Sequence, residues 1–120
     1  MNIGKIGTEG ERKVANFLKK RGYQVIKRNF VSKYGEIDII AENEQHIIFT
    51  EVKTRKENSL VSGVEAVDAF KQRRIILTAN DYIAKTECQK QPRFDIAEVT
   101  VFERKDGATG YKLNYIENAW

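Results

Sequence analysis

The sequence predicts an α/β domain built on a mixed five-stranded sheet, in the order helix-strand-strand-strand-helix-strand-strand. Three observations predict it. Two stretches carry apolar residues at helical spacing, five shorter ones are rich in β-branched and aromatic residues, and the second helix stands between the third and fourth strands. A strand that returns to its sheet through a crossover helix implies at least one parallel pairing, so the sheet is mixed.

The first helix is expected from about residue 4 to Arg21, with Ile6, Gly10, Val14, Phe17 and Leu18 on one side and Gly22 as its stop. Tyr23 to Ser32 reads as the first strand, Lys33-Tyr34-Gly35 as a turn, and Glu36 to Ala41 as the second strand. A polar turn, Glu42 to Gln45, leads into a third and central strand, His46 to Thr54. These three form an antiparallel meander. A polar loop is expected over Thr54 to Gly63. A second helix follows from about Glu65 to Ala84, with Val67, Ile75, Ala79, Tyr82 and Ile83 on its apolar side. Pro92 is expected to break the chain before a strand from Arg93 to Phe102. Asp106-Gly107 and Gly110 mark a hairpin turn before the last strand, Tyr111 to Ile116.

At 120 residues the chain suits one domain, and 41% hydrophobic with 32% charged residues suits a folded, soluble one. The net charge of +4 is compatible with a polyanionic partner without requiring one. A lone cysteine, Cys88, excludes an intramolecular disulfide and a paired-cysteine metal knuckle. The single histidine, His46, falls at a turn, so Cys88 reads as an unreactive residue near a helix end. No apolar leader and no run of about 18 apolar residues occurs, so no membrane association is expected and a reducing cytoplasm is the expected compartment.

Side chains alternate along strands, so Glu36, Asp38 and Ile40 share one face of the second strand. Ile47, Phe49, Glu51, Lys53 and Arg55 share a face of the third. A hairpin centred on Glu44-Gln45 sets Asp38 opposite Glu51, with Lys53 beside them. Two adjacent carboxylates repel unless a cation compensates them, and hard oxygen ligands suit Mg²⁺ or Mn²⁺. Such a metal would polarise a phosphate and activate a water, with Lys53 orienting that water or stabilising the growing charge. Taken alone, Glu-x-Lys on a strand is usually a solvated ion pair. An acid set between isoleucines, as in Ile37-Asp38-Ile39-Ile40, is costly to bury and asks for a partner. Spacing leaves both readings standing.

On the first helix, with Val14 central to the apolar face, Glu11 lies about 60° away and Glu9 about 140° away. Glu11 therefore borders the buried face as a candidate third acid or a rim salt bridge, and Glu9 should be solvated. On the second helix Lys71 lies between Val67 and Ile75. Its amine is expected to snorkel to the rim, with a reach into the site as a phosphate contact as the alternative.

Glu11 on a first helix, Gly35-Glu36-Ile37-Asp38 on a strand and Glu51-Val52-Lys53 on the next resemble the PD-(D/E)XK nuclease superfamily. More closely, the chain resembles the YraN-type bacterial proteins, relatives of archaeal Holliday junction resolvases. The resemblance runs through Gly10-Glu11, Gly22-Tyr23, Arg28-Asn29-Phe30, Gly35 to Ile40, Phe49 to Arg55, Lys71 to Arg74 and Arg93-Phe94-Asp95. It departs at Val31, where many members carry a basic residue, and at Thr50, where valine is usual and the side chain should face away from the site.

The resemblance implies a restriction-endonuclease-like fold over residues 1–120 as a single nuclease-like domain. It implies Asp38 and Glu51 as metal ligands, the Val52 carbonyl as a further one, Lys53 as the catalytic lysine and Glu11 as an accessory acid. The activity implied is Mg²⁺- or Mn²⁺-dependent hydrolysis of DNA, branched DNA included, by an enzyme that acts as a homodimer if it cuts junctions symmetrically. Arg28, Lys33, Arg55, Lys56, Lys71 and Arg74 are the candidate nucleic-acid contacts, with Lys27 and Arg73 beside them. The alternative is a non-catalytic module that keeps the fold to bind nucleic acid or a protein. RNA cleavage is a weaker third reading, since nothing in the sequence reads a 2′-hydroxyl.

Overall fold

The computed structural model describes the backbone of residues 3–57 and 67–120, and the side chains of residues 8–57 and 67–120. The elements are α1 (Ile3–Lys20), β1 (Gln24–Ser32), β2 (Gly35–Glu42), β3 (His46–Lys56), α2 (Ala69–Thr86), β4 (Gln91–Glu103) and β5 (Thr109–Ile116). The sheet runs β1-β2-β3-β4-β5, with β3 and β4 parallel and every other neighbour antiparallel. This is the mixed α/β sheet that the element order predicts.

α1 ends as its glycine requires. Gly22 takes φ +89°, and the Gly22 and Tyr23 amides donate back to the Lys19 and Leu18 carbonyls at 3.1 and 3.0 Å. Val14, Ala15 and Leu18 of α1 bury against Ile39, Ala41, Ile48, Ala97 and Val99 on one face of the sheet. α2 covers the other face, where Ile75, Ala79 and Tyr82 meet Ile40, Ile47, Phe49 and Ile96. A chain of rings crosses this second core. Phe30 meets Tyr82, Tyr82 meets Phe49, Phe49 stacks on Phe94, and Phe94 stacks on Trp120, with centroids 5.3, 6.2, 5.6 and 5.5 Å apart.

Among the boundaries that differ from expectation, three have a visible cause. α2 starts at Ala69 rather than Glu65, because the Asp68 side chain accepts the Lys71 amide at 2.9 Å and caps the helix there. The expected start, Glu65, lies outside the described residues. β3 continues to Lys56 rather than Thr54, since β4 pairs with it in parallel as far as Lys56↔Val101. Of the loop expected over Thr54 to Gly63, residues 58–63 lie outside the described residues. Pro92 falls inside β4, opposite Ile47, instead of ahead of it. As the second residue of the strand it costs the sheet a single donor.

Candidate active site

The site forms where two strands part. The β2–β3 ladder runs from Glu42↔Ile47 to Ile39↔Thr50, a register centred on Glu44-Gln45. Asn43 closes the hairpin by accepting the Gln45 and His46 amides on Oδ1 at 2.9 and 2.7 Å. One step past the last pair the same register would match Asp38 with Glu51. There the Asp38 side chain takes over from the ladder, and its Oδ2 accepts the Val52 N–H at 2.8 Å. A carboxylate thus satisfies a backbone donor that a partner strand would otherwise satisfy. The opening beyond it is a cavity of about 670 Å³, lined by Asp38, Glu51 and Glu36, by Val31 to Lys33 and Gly35 of the β1–β2 hairpin, and by Asp68, Phe70, Lys71, Arg74 and Ile75 of α2 and its cap.

Glu51 is buried at 7% exposure. Its Oε1 receives two amines, Lys71 Nζ at 2.9 Å and Lys53 Nζ at 3.2 Å. Lys71 therefore crosses to the site, and the snorkelling expected of it does not occur. Burial pushes the Asp38 carboxyl up to about 7, with the charge of Glu51 adding to the shift, the Val52 N–H opposing it, and Glu11 and Glu36 contributing further. Burial also lowers the Lys53 pKa, helped by the neighbouring Lys71 ammonium and opposed by Glu51. For Lys71 burial again lowers the pKa, but its bonds to Lys53 and Glu51 outweigh that and raise it.

Glu11 lies at the edge of this group. Its Oε2 accepts Asn29 Nδ2 at 3.3 Å and stands 3.6 Å from Arg28 Nη2. Asn29 falls opposite Asp38, between the pairs Arg28↔Ile39 and Phe30↔Ile37, and has a left-handed φ of +53°. Asparagine tolerates that conformation better than most residues. The residue type and the Arg28-Asn29-Phe30 run were the only sequence signals for this contact. Glu9 accepts Arg12 Nη2 at 2.6 Å, one turn further along α1.

The basic candidates divide. Lys33, Lys71 and Arg74 line the cavity, and Arg74 Nε donates to the Tyr34 carbonyl at 2.8 Å. Arg28 faces Glu11, and Arg55 pairs with Glu98 at 2.8 Å across β3–β4. Lys56 is exposed at the end of β3. Lys27 and Arg73 are exposed as well.

Thr50 points to the other face, as expected, but it is not idle there. Tyr115 donates its hydroxyl proton to Asp95 Oδ2 at 2.6 Å, so the Thr50 hydroxyl, 2.9 Å away, donates to the Tyr115 oxygen. Arg93 Nε and Nη2 bond the same carboxylate, and the Asn118 amide caps its Oδ1 at 2.9 Å. Asp95 is fully buried. Nothing in the sequence beyond Arg93-x-Asp95 signalled this network.

The donor chemistry fits a small, oxygen-binding dication. Asp38 and Glu51 are neighbouring carboxylates; burial and the charge of Glu51 raise the pKa of Asp38, and two amines compensate Glu51. Among the described residues no three His, Cys, Asp or Glu side chains converge into a ready cage. Any such ion would lean on Asp38, Glu51 and backbone or solvent oxygens, with the Val52 carbonyl next in the strand.

The fold is restriction-endonuclease-like. A crystal structure of the Holliday junction resolvase Hjc from Archaeoglobus fulgidus superposes with a TM-score of 0.51 and 23% identity, covering 89% of this chain and 72% of that one. The chain belongs to the uncharacterised protein family UPF0102, whose model matches residues 10–99. Similar members include a UPF0102 protein of Caldanaerobacter subterraneus, 43% identical over 100% of this chain and 98% of its own. Another, from Fusobacterium nucleatum, is 47% identical over 79% of this chain and 81% of its own. A third, from Clostridium acetobutylicum, is 41% identical over 97% and 93%.

Proposed function

We propose that the chain is a divalent-metal-dependent endonuclease that hydrolyses DNA phosphodiester bonds, branched DNA included. The observation that carries this reading is the pair of half-buried Asp38 and buried Glu51, with Lys53 on Glu51, opening into a cavity on a nuclease fold. Mg²⁺ or Mn²⁺, when bound, would supply Lewis acidity toward a phosphate oxygen and a water. Asp38 and Glu51 would hold it, with the Val52 carbonyl as a third donor. Lys53, released from Glu51, would hold the attacking water or the oxygen on which charge grows. Glu11, placed by Asn29, would adjust the field at Asp38 from the rim. Lys33, Lys71 and Arg74 would receive phosphates at the cavity, and Arg28, Arg55 and Lys56 would extend that path along the strands. The whole chain would act as one domain in the cytoplasm. A second copy would be needed for paired cuts in a four-way junction.

The test is cleavage of duplex, flap, four-way junction and single-stranded DNA with Mg²⁺ or Mn²⁺. Wild type should cut at least one of these. Asp38→Ala should abolish cutting, and Lys53→Ala should slow it by roughly a hundredfold or more while DNA binding persists. If no substrate is cut and the variants bind DNA as wild type does, the chain is a binding module on a nuclease fold.

A further inference from the structure

Two ammonium groups meet on one carboxylate oxygen, and they differ in how they are held. Lys53 extends from β3 two residues after Glu51, on the same face, so strand geometry puts it there. Lys71 comes from the first turn of α2 and reaches across the cavity to lie 2.9 Å from Glu51 Oε1. Its side chain lines that cavity and remains 38% exposed, against 24% for Lys53. The Asp68 cap fixes the start of the helix and hence the direction of approach. Asp38 is bonded instead to a backbone amide and lies on the same cavity wall. Glu51, the acid beside Asp38 on that wall, is therefore already compensated by a cation that the chain itself supplies from a second element.

We propose that Lys71 stands in for the divalent cation in the metal-free protein, and that it must withdraw from Glu51 before a metal is held by Asp38 and Glu51. The proposal rests on the metal-site reading above. A dication and an ammonium within bonding distance of one carboxylate oxygen repel, so the two compete for the site. The lysine keeps the acids compensated when no metal is present. Once displaced, it hangs over the same cavity, where a phosphate would receive it.

The test is calorimetric titration of metal-free protein with Mn²⁺, needing no turnover. Lys71→Met and Lys71→Gln should each bind Mn²⁺ at least about fivefold tighter than wild type, since the competitor is gone. Lys71→Arg, which keeps the charge, should stay within about twofold of wild type or bind more weakly. In EDTA the neutral variants should melt below wild type, and saturating Mn²⁺ should raise their Tm by more than it raises that of wild type. If the neutral variants bind Mn²⁺ with unchanged or weaker affinity, Lys71 only positions Glu51 and the proposal is overturned while the metal site stands. If neither wild type nor the neutral variants bind Mn²⁺, the metal-site reading falls and this one with it.

Discussion

Among the described residues, Asp38 is a carboxyl whose pKa is raised to about 7. Glu51 from β3, Glu11 from α1 and Glu36 from its own strand press on it, while the Val52 N–H holds its ionised form and the Lys71 amine lies nearby. The folded protein retains the Asp38 proton to about pH 7, whereas an unfolded chain releases it near about pH 4. The folded state then binds more protons across that window. The stability this provides is complete below about pH 4 and lost as pH rises to about 7, an upper bound of roughly 4 kcal/mol. Denaturant midpoints of metal-free protein should carry this decline, and Asp38→Asn should flatten it. Metal affinity should rise over the same range, because the ion takes the deprotonated acid. At this scale the sequence was informative about Asp38 and Glu51, because a hairpin centre and a two-residue period fix which side chains meet. It was uninformative about Lys71, because a long flexible side chain on a helix reaches either the rim or the site with the same periodicity.

Among the elements, α2 governs the approach of Lys71, and its start rests on one side chain. Asp68→Ala should cost about 1 kcal/mol in a denaturation experiment, the usual value of a lost cap. It should also loosen Lys71 from Glu51. α1 lies close against the sheet at Gly10, where an added Cβ would lie 2.6 Å from Thr54 Oγ1. Thr54 is branched at Cβ and turns stiffly, so Gly10→Ala should destabilise the fold by roughly 1–3 kcal/mol, measured as a shift in the urea midpoint. Helix and strand identities followed from periodicity and from Gly22, whose position stops α1. The start of α2 depends on the local Asp68 cap, whereas the end of β3 and the start of β4 depend on partners distant in sequence. Only β4 lengthens β3 to Lys56, and the Ile47 pairing draws Pro92 into the sheet.

Across the whole molecule, one buried carboxylate joins the far half of the sheet. Asp95 on β4 binds Arg93 on its own strand, Tyr115 on β5 and the Asn118 amide beyond it, and through Tyr115 it reaches Thr50 on β3. Asp95→Ala should cost roughly 3 kcal/mol, because the Tyr115 hydroxyl, the Asn118 amide and the half-buried Arg93 lose their shared acceptor. Thr50→Val should cost only about 1 kcal/mol, since Tyr115 keeps its bond to Asp95. The topology was legible because a crossover helix between strands forces a parallel pair. The Asp95 network was not, since its hydrogen bonds beyond Arg93 join residues 20 to 65 positions apart and leave no period to read. The row of rings on the opposite face has an optical consequence. Trp120 is the only tryptophan in the chain, and it ends that row in contact with Phe94. Its emission should be blue-shifted in the native state and move red as the rings separate. Tyrosine excitation, Tyr82 with two rings between it and the indole included, should pass energy to Trp120 more efficiently in the folded chain, so the protein carries its own unlabelled fluorescent gauge of folding.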